Sequence, residues 1–331
     1  MNLRMRATGI VGGIAVLLAA GCNRVQNMLA PAGDQASDIG RVWDLMLWVC
    51  VPVYALVLVA LGIAVWRNHG AVAGDRALER GLLGWSITIA VLLTVLTATS
   101  FAVDRRLHAR AEQPLQVRIT AKRWWWQVEY RDPAHPSRIV TTANELHLPA
   151  GRTARIELQS SDVIHSLWIP VLAGKEDLIP GHDNVIDITP RVPGLYRGQC
   201  AEFCGLQHAH MALDVFVETP QAFAAWRARQ LAPANAPRTP NAARGQLLFE
   251  QSACAMCHRV QGTLAGGVTG PDLTHFASRR TLAAGTLKLD RTTVAAWIID
   301  PQRYKPGANM PKVPLDASQV DAISDYLMEL Q

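Results

Sequence analysis

Four of the six cysteines fall into two close pairs at different spacings, Cys200 with Cys204 and Cys254 with Cys257. Pairs of this kind suit two separate cofactor sites better than a disulfide framework. In the second pair, Cys254-Ala-Met-Cys257-His258, the spacing lets both thiols form thioethers to haem vinyl groups while the next residue turns its imidazole onto the iron. A zinc site would need a further Cys/His pair downstream, and the sequence has none. Met256 is a spacer between the cysteines. A haem that carries electrons needs a sixth ligand, and a Met thioether raises its potential. Met310, in Lys305-Pro-Gly-Ala-Asn-Met310-Pro, is the candidate. Met328, the other methionine downstream, sits at core-like spacing in an expected terminal helix, Ala317 to Leu330.

The first pair opens the run Cys200-Ala-Glu202-Phe-Cys204-Gly-Leu-Gln-His208-Ala-His210-Met211. Thiolates with imidazole and a weak thioether select copper and suit electron transfer. A second cysteine four residues on lets two thiolates bridge two ions and share one unpaired electron. Zinc would accept the Cys and His donors but leaves Met211 without a purpose. Asp162-Val-Ile-His165 supplies one more imidazole from an earlier strand.

Both constellations need a scaffold to position them. Half of the 331 residues are hydrophobic and 18% are charged, a balance that calls for membrane segments. The net charge of +5 decides little, and no basic–aromatic run reads as a nucleic-acid stripe. Residues 1–22 read as an export signal whose end, Leu18-Ala-Ala-Gly-Cys22, resembles a lipobox and makes Cys22 a candidate for lipidation. Residues 40–106 read as a transmembrane hairpin, with apolar runs Val42–Trp66 and Leu82–Val103. Each run reaches the ~20 residues that a helix needs to cross ~30 Å of hydrocarbon. Cys50, inside the first run, is expected to be a small buried residue rather than a ligand. Residues 112–219 break into short alternating segments, as an all-β sandwich does. Residues 220–241 form a short helix and a Pro-rich linker, and 242–331 form short helices between Gly/Pro loops. His135, His147 and His182 lack evident partners and are expected at the surface.

The segments around His165 and from Cys200 to Met211 resemble the copper A site of cytochrome c oxidase subunit II, and residues 242–331 resemble a class I cytochrome c. The resemblance implies a multi-domain fold: a two-helix hairpin, a cupredoxin-like sandwich and an all-α cytochrome c domain. It implies that Cys200 and Cys204 bridge both coppers, with His165 and Met211 on one ion and His208 and the Glu202 carbonyl on the other. The Glu202 side chain would then serve a magnesium site shared with subunit I. Lys122-Arg-Trp124-Trp-Trp-Gln-Val-Glu-Tyr130 resembles the family's aromatic cluster, whose first member, Trp124, would receive the electron. Gly270-Pro271-Asp-Leu273 resembles the loop on the proximal side of the haem, with Trp297 near a propionate. Lys175 to Gly181 resembles the loop that faces subunit I, with His182 where the family has Arg. Leu82 stands where many relatives carry a carboxylate that serves protons, and Glu79 lies one turn earlier.

The function so implied is electron transfer from a cytochrome c or quinol-oxidising donor, through covalent haem c and binuclear copper A, to haem a of subunit I. Oxygen is then reduced and protons translocated by the complex, which includes subunits I and III in a bacterial cell membrane. Haem attachment and copper loading put both domains on the outer side. Two other readings are a copper A subunit of a nitric oxide or nitrous oxide reductase, and a membrane-anchored copper-delivery protein. Exchangeable delivery sites need open ligand positions, whereas this set is closed, and delivery leaves the haem motif unexplained.

Overall fold

A computed structural model describes residues 25–66, 75–107 and 112–331. Cys22, with the rest of the expected signal, lies outside the described residues. Two helices open the fold, α1 (Asp34–Trp66) and α2 (Asp75–Leu107), each 33 residues long. At ~1.5 Å per residue each reaches ~50 Å, more than the hydrocarbon thickness. Their apolar side chains stand exposed along almost the whole length, as they must to meet lipid. Val42 and Met46 near the start of α1 share a cleft with Leu96, Phe101 and Asp104 near the end of α2, so the pair is antiparallel. Cys50, expected to be buried, is exposed on α1. A two-helix hairpin has too little facing surface to cover it.

The N-terminal end of α1 is fastened to the next domain. Arg191 grips the Asp34 carboxylate through Nε at 2.7 Å and Nη2 at 2.5 Å. The Gln35 side chain accepts from Thr189 N at 2.8 Å, and Ala32 N donates to Val171 O at 2.7 Å. Gly33 is required in this seam, because a Cβ there would lie 2.8 Å from the Leu172 carbonyl oxygen. The helix therefore begins eight residues before the apolar run, in a segment fixed by contacts distant in sequence.

Ten strands follow as two five-stranded sheets. The strands are β1 (Leu115–Lys122), β2 (Trp125–Arg131), β3 (Val140–Ala143), β4 (Glu145–Pro149), β5 (Ala154–Ser160), β6 (His165–Trp168), β7 (Lys175–Leu178), β8 (Asn184–Ile188), β9 (Gly194–Cys200) and β10 (Ala212–Glu218). One sheet runs β3-β2-β1-β5-β8 and the other β4-β10-β9-β6-β7. Alternation sets the faces: Leu115, Val117, Ile119 and Ala121 of β1 point inward, as do Ala154, Ile156 and Leu158 of the parallel β5. Together with Trp126, Leu146, Leu148, Leu167 and Met211 they form one apolar core. Helix α3 (Pro220–Gln230) closes an end of the sandwich with Phe223 and Trp226, the latter edge-on to Tyr130 at 5.0 Å.

His147 is not at the surface as expected. It is 5% exposed, stacked between Phe216 at 4.3 Å and Trp226 at 3.9 Å, with Glu218 at 3.0 Å. These partners lie about 70 or more residues further along the chain and carry no local signal. His135 and His182 are exposed, as read from the sequence.

After the Pro-rich segment, α4 (Pro240–Gln251), α5 (Cys254–Cys257), α6 (Arg291–Ile299), α7 (Pro301–Tyr304) and α8 (Ala317–Glu329) build a second core. Helices α4 and α8 cross closely: Phe249 packs edge-on to Tyr326 at 5.8 Å. A Cβ on Gly245 would lie 2.0 Å from the Ala322 carbonyl oxygen, so only glycine permits this approach. A two-stranded hairpin, β11 (Thr281–Leu282) with β12 (Leu287–Lys288), leans on the sandwich. There Ala212 N donates to Ala284 O at 3.0 Å, and Thr281 Oγ1 donates to Asp214 at 3.2 Å.

Candidate metal centres

Strand pairing assembles the first centre. Leu167 of β6 lies opposite Cys200 of β9, which brings His165 beside the cysteine, and Met211 immediately precedes β10. Ala201 N donates to Ser166 O, and Cys200 N donates to Met211 O at 3.0 Å, so both ends of the loop are clamped to the sheet. A short turn, His208–His210, carries His208 back toward the cysteines.

The donor atoms converge. Cys200 Sγ lies 3.8 Å from Cys204 Sγ, 3.8 Å from His165 Nδ1 and 3.2 Å from the Glu202 carbonyl oxygen. Cys204 Sγ lies 3.6 Å from His208 Nδ1. His165 and Met211 are fully buried, and the ligating atoms of His165, Cys200 and Cys204 all lie within 4.8 Å of one another. The thiol of Cys204 beside it, with His165, holds the pKa of Cys200 down to about 3, and the same contact pushes Cys204 up. A pair that gives up its first proton readily is suited to a cation, and the soft donor set fits copper.

One residue that matters here carried no sequence signal of its own. Asp162 Oδ1 accepts from His165 Nε2 at 2.9 Å, which fixes the tautomer and aims Nδ1 at the thiols. His210, in the same run, turns away and pairs with the Gln207 side chain at 2.8 Å.

The second centre is a cavity of about 790 Å³ lined by Cys254, Cys257, His258, Trp297 and Met310, among others. Met328 is not on its wall but packs against the helical core. Nδ1 of His258 is 2.8 Å from the Pro271 carbonyl oxygen, leaving Nε2 for the cavity. Gly270 allows this, since a Cβ there would stand 2.8 Å from His258 Cε1. Trp297 donates its indole N–H to Met310 Sδ at 3.1 Å. Gln302 holds the Met310 loop through Ala308 O at 2.8 Å, Met310 O at 2.9 Å and the Gly307 amide at 2.9 Å. Two cysteines, an imidazole and a thioether on one apolar cavity fit a haem. Met256 is 77% exposed at the cavity's edge.

The two centres share a wall. Trp124, Trp125, Lys122 and Arg123 of the sandwich also line the haem cavity. Trp124 donates Nε1–H to the Cys204 carbonyl at 2.9 Å. Gly205, at φ +112°, makes room for its ring. Beside it Lys305 is 3% exposed, and this burial pushes its pKa below the ordinary lysine value.

Comparison with known proteins agrees with both halves. Residues 134–218 match the family described as cytochrome C oxidase subunit II, periplasmic domain, and residues 242–331 match cytochrome c. The chain is 29% identical to cytochrome c oxidase subunit 2 of Alkalihalophilus pseudofirmus, over 95% of this chain and 94% of that one. It is 31% identical to cytochrome c oxidase subunit 2 of Bacillus sp. strain PS3, over 78% and 76%. Among solved structures it is similar to the periplasmic domain of subunit II of cytochrome oxidase of Bradyrhizobium japonicum, at 26% identity and a TM-score of 0.33, over 36% of this chain and 95% of that chain. The chain thus belongs to the cytochrome c oxidase subunit II family and carries a cytochrome c domain after its copper domain.

Proposed function

We propose that this chain is the electron-transfer subunit of a terminal respiratory oxidase. It passes electrons from a cytochrome c or quinol-oxidising donor, through covalent haem c and binuclear copper A, to haem a of subunit I. The partner reduces oxygen to water, and the complex translocates protons. When bound, the haem and the paired coppers supply reversible one-electron chemistry that no side chain offers.

The observation that carries this reading is Trp124, which touches both centres. Cys254 and Cys257 would hold the haem by thioethers, with His258 and Met310 on its iron. His165, Cys200, Cys204, His208, Met211 and the Glu202 carbonyl would hold the coppers, and the Glu202 carboxylate a magnesium shared with subunit I. Burial of Trp124, at 6% exposed, supports delivery by way of the haem domain rather than directly from a diffusing donor. Tethering makes transfer between the centres intramolecular and independent of donor concentration.

The hairpin would cross a bacterial cell membrane twice with both metal domains outside. The Asp34–Arg191 clamp supports this, because it sets the outer end of α1 beside the copper domain. Rapid mixing of the purified oxidase with reduced donor tests the order: haem c absorbance should report reduction before copper A, and oxygen uptake should follow. Copper reduced ahead of the haem would contradict the reading.

A further inference from the structure

Lys305 lies at the domain junction with its ammonium enclosed, and its three hydrogen-bond acceptors come from three segments. Nζ donates to Trp124 O at 2.7 Å, His210 O at 2.8 Å and Ala283 O at 2.9 Å. The first two belong to the copper domain, the third to the hairpin of the haem domain. All three donors of the ammonium are used, and every one of these acceptors is a backbone carbonyl.

Interface packing alone does not call for a cation at this place, since burying a charge without a counter-ion is costly. What the ammonium adds is a three-pronged bond that an apolar side chain of the same length cannot make. The residues that follow continue the contact. Pro306 O accepts from Gln207 Nε2 at 2.9 Å. Gly307, at φ +81°, sits so close that a Cβ would meet the Trp124 ring at 3.4 Å and Leu206 at 3.3 Å. Three residues later the same loop presents Met310 to the haem cavity. Other ties, Arg279 with Glu145 at 3.9 Å, Thr281 with Asp214, Ala212 N with Ala284 O and Lys122 Nζ with Val268 O, join the domains without engaging this loop.

We propose that Lys305 is a positioning residue: it pins the 305–310 loop, and with it Met310, against Trp124, so that the haem domain holds one fixed pose on the copper domain. The proposal deepens the electron-transfer reading and rests on both centres loading.

The test uses the complete oxidase with Lys305→Met, and Lys288→Met at an exposed site as control. Optical and paramagnetic spectra of each sample first establish that haem c and copper A are present. Pulsed dipolar spectroscopy between the two centres should give one narrow distance distribution in the parent and control, and a broad one in Lys305→Met. Electron equilibration between the centres after flash reduction should slow at least ~10-fold, since small misplacements of reacting groups cost large factors. If Lys305→Met does not assemble with both spectra intact, Lys305→Gln, which keeps two donors, replaces it under the same criteria. A narrow distribution and a parent-like rate in the variant would overturn the positioning role while leaving the electron-transfer reading standing. A parent lacking either spectrum would bring down both.

Discussion

The indole N–H of Trp124 donates to the carbonyl oxygen of Cys204 at 2.9 Å, so a ring on the wall of the haem cavity is bonded to the backbone of the copper loop. One side chain thereby spans the junction between two domains whose motifs are about 50 residues apart. Replacing Trp124 with Phe keeps an aromatic ring but removes the bond. The haem and copper spectra should persist, while transfer between the centres, followed by flash photolysis, should slow by about 10-fold, equivalent to ~1.4 kcal/mol of barrier.

Asp162 acts on the copper loop through His165. Asp162→Asn would weaken the hold on Nε2 and free the imidazole to rotate. Outer partners of metal ligands are worth ~10–100-fold in affinity. Competition titration with a copper chelator should show a loss in that range, with the sandwich still folded by circular dichroism.

Met310 is the thioether that lines the cavity, whereas Met328 is in the helical core. Met310→Leu should remove the sixth ligand, shift the haem spectrum away from low spin and lower the midpoint potential. Met328→Leu, a swap that nearly conserves volume, should cost under ~1.5 kcal/mol of stability and leave the potential unchanged.

His147 gives the copper domain a pH-dependent stability. Burial opposes its charge, but the carboxylates of Glu145, at 3.8 Å, and Glu218, at 3.0 Å, overcome this and hold its pKa above the ordinary histidine value. Arg279 also faces Glu145, and the buried Tyr130 hydroxyl donates to the His147 carbonyl at 3.1 Å. Because the folded pKa is raised, the stabilisation is complete below the ordinary histidine range and is lost as pH rises through the raised value. Denaturant titrations of the parent should show this loss across the neutral range. His147→Gln should flatten it and cost on the order of 3 kcal/mol at low pH, since it strips a buried carboxylate of a partner.

Much of this was legible in the sequence because the chemistry is local there. Cys254, Cys257 and His258 lie on a single turn, Cys200 to Met211 form a single loop, and each apolar helix is a continuous run. The sandwich showed itself in alternations such as Leu115 to Ala121. What stayed hidden depends on contacts distant along the chain. Nothing in the sequence gives Asp162 a role until His165 is seen to bond it. His147 reads as a surface histidine until β10 and α3 close over it. Nothing beside Lys305 in the sequence marks it for burial under the copper domain, because no pattern within one domain encodes how two domains meet.

The central claim is that one chain holds two redox centres, the first built on paired cysteine thiolates. It is tested most directly by the electron paramagnetic resonance spectrum and metal content of the purified, loaded protein, compared with Cys200→Ser. Two coppers and one covalent low-spin haem per chain are expected, with a seven-line copper hyperfine pattern that Cys200→Ser abolishes. A four-line pattern with a single copper in the parent would contradict it.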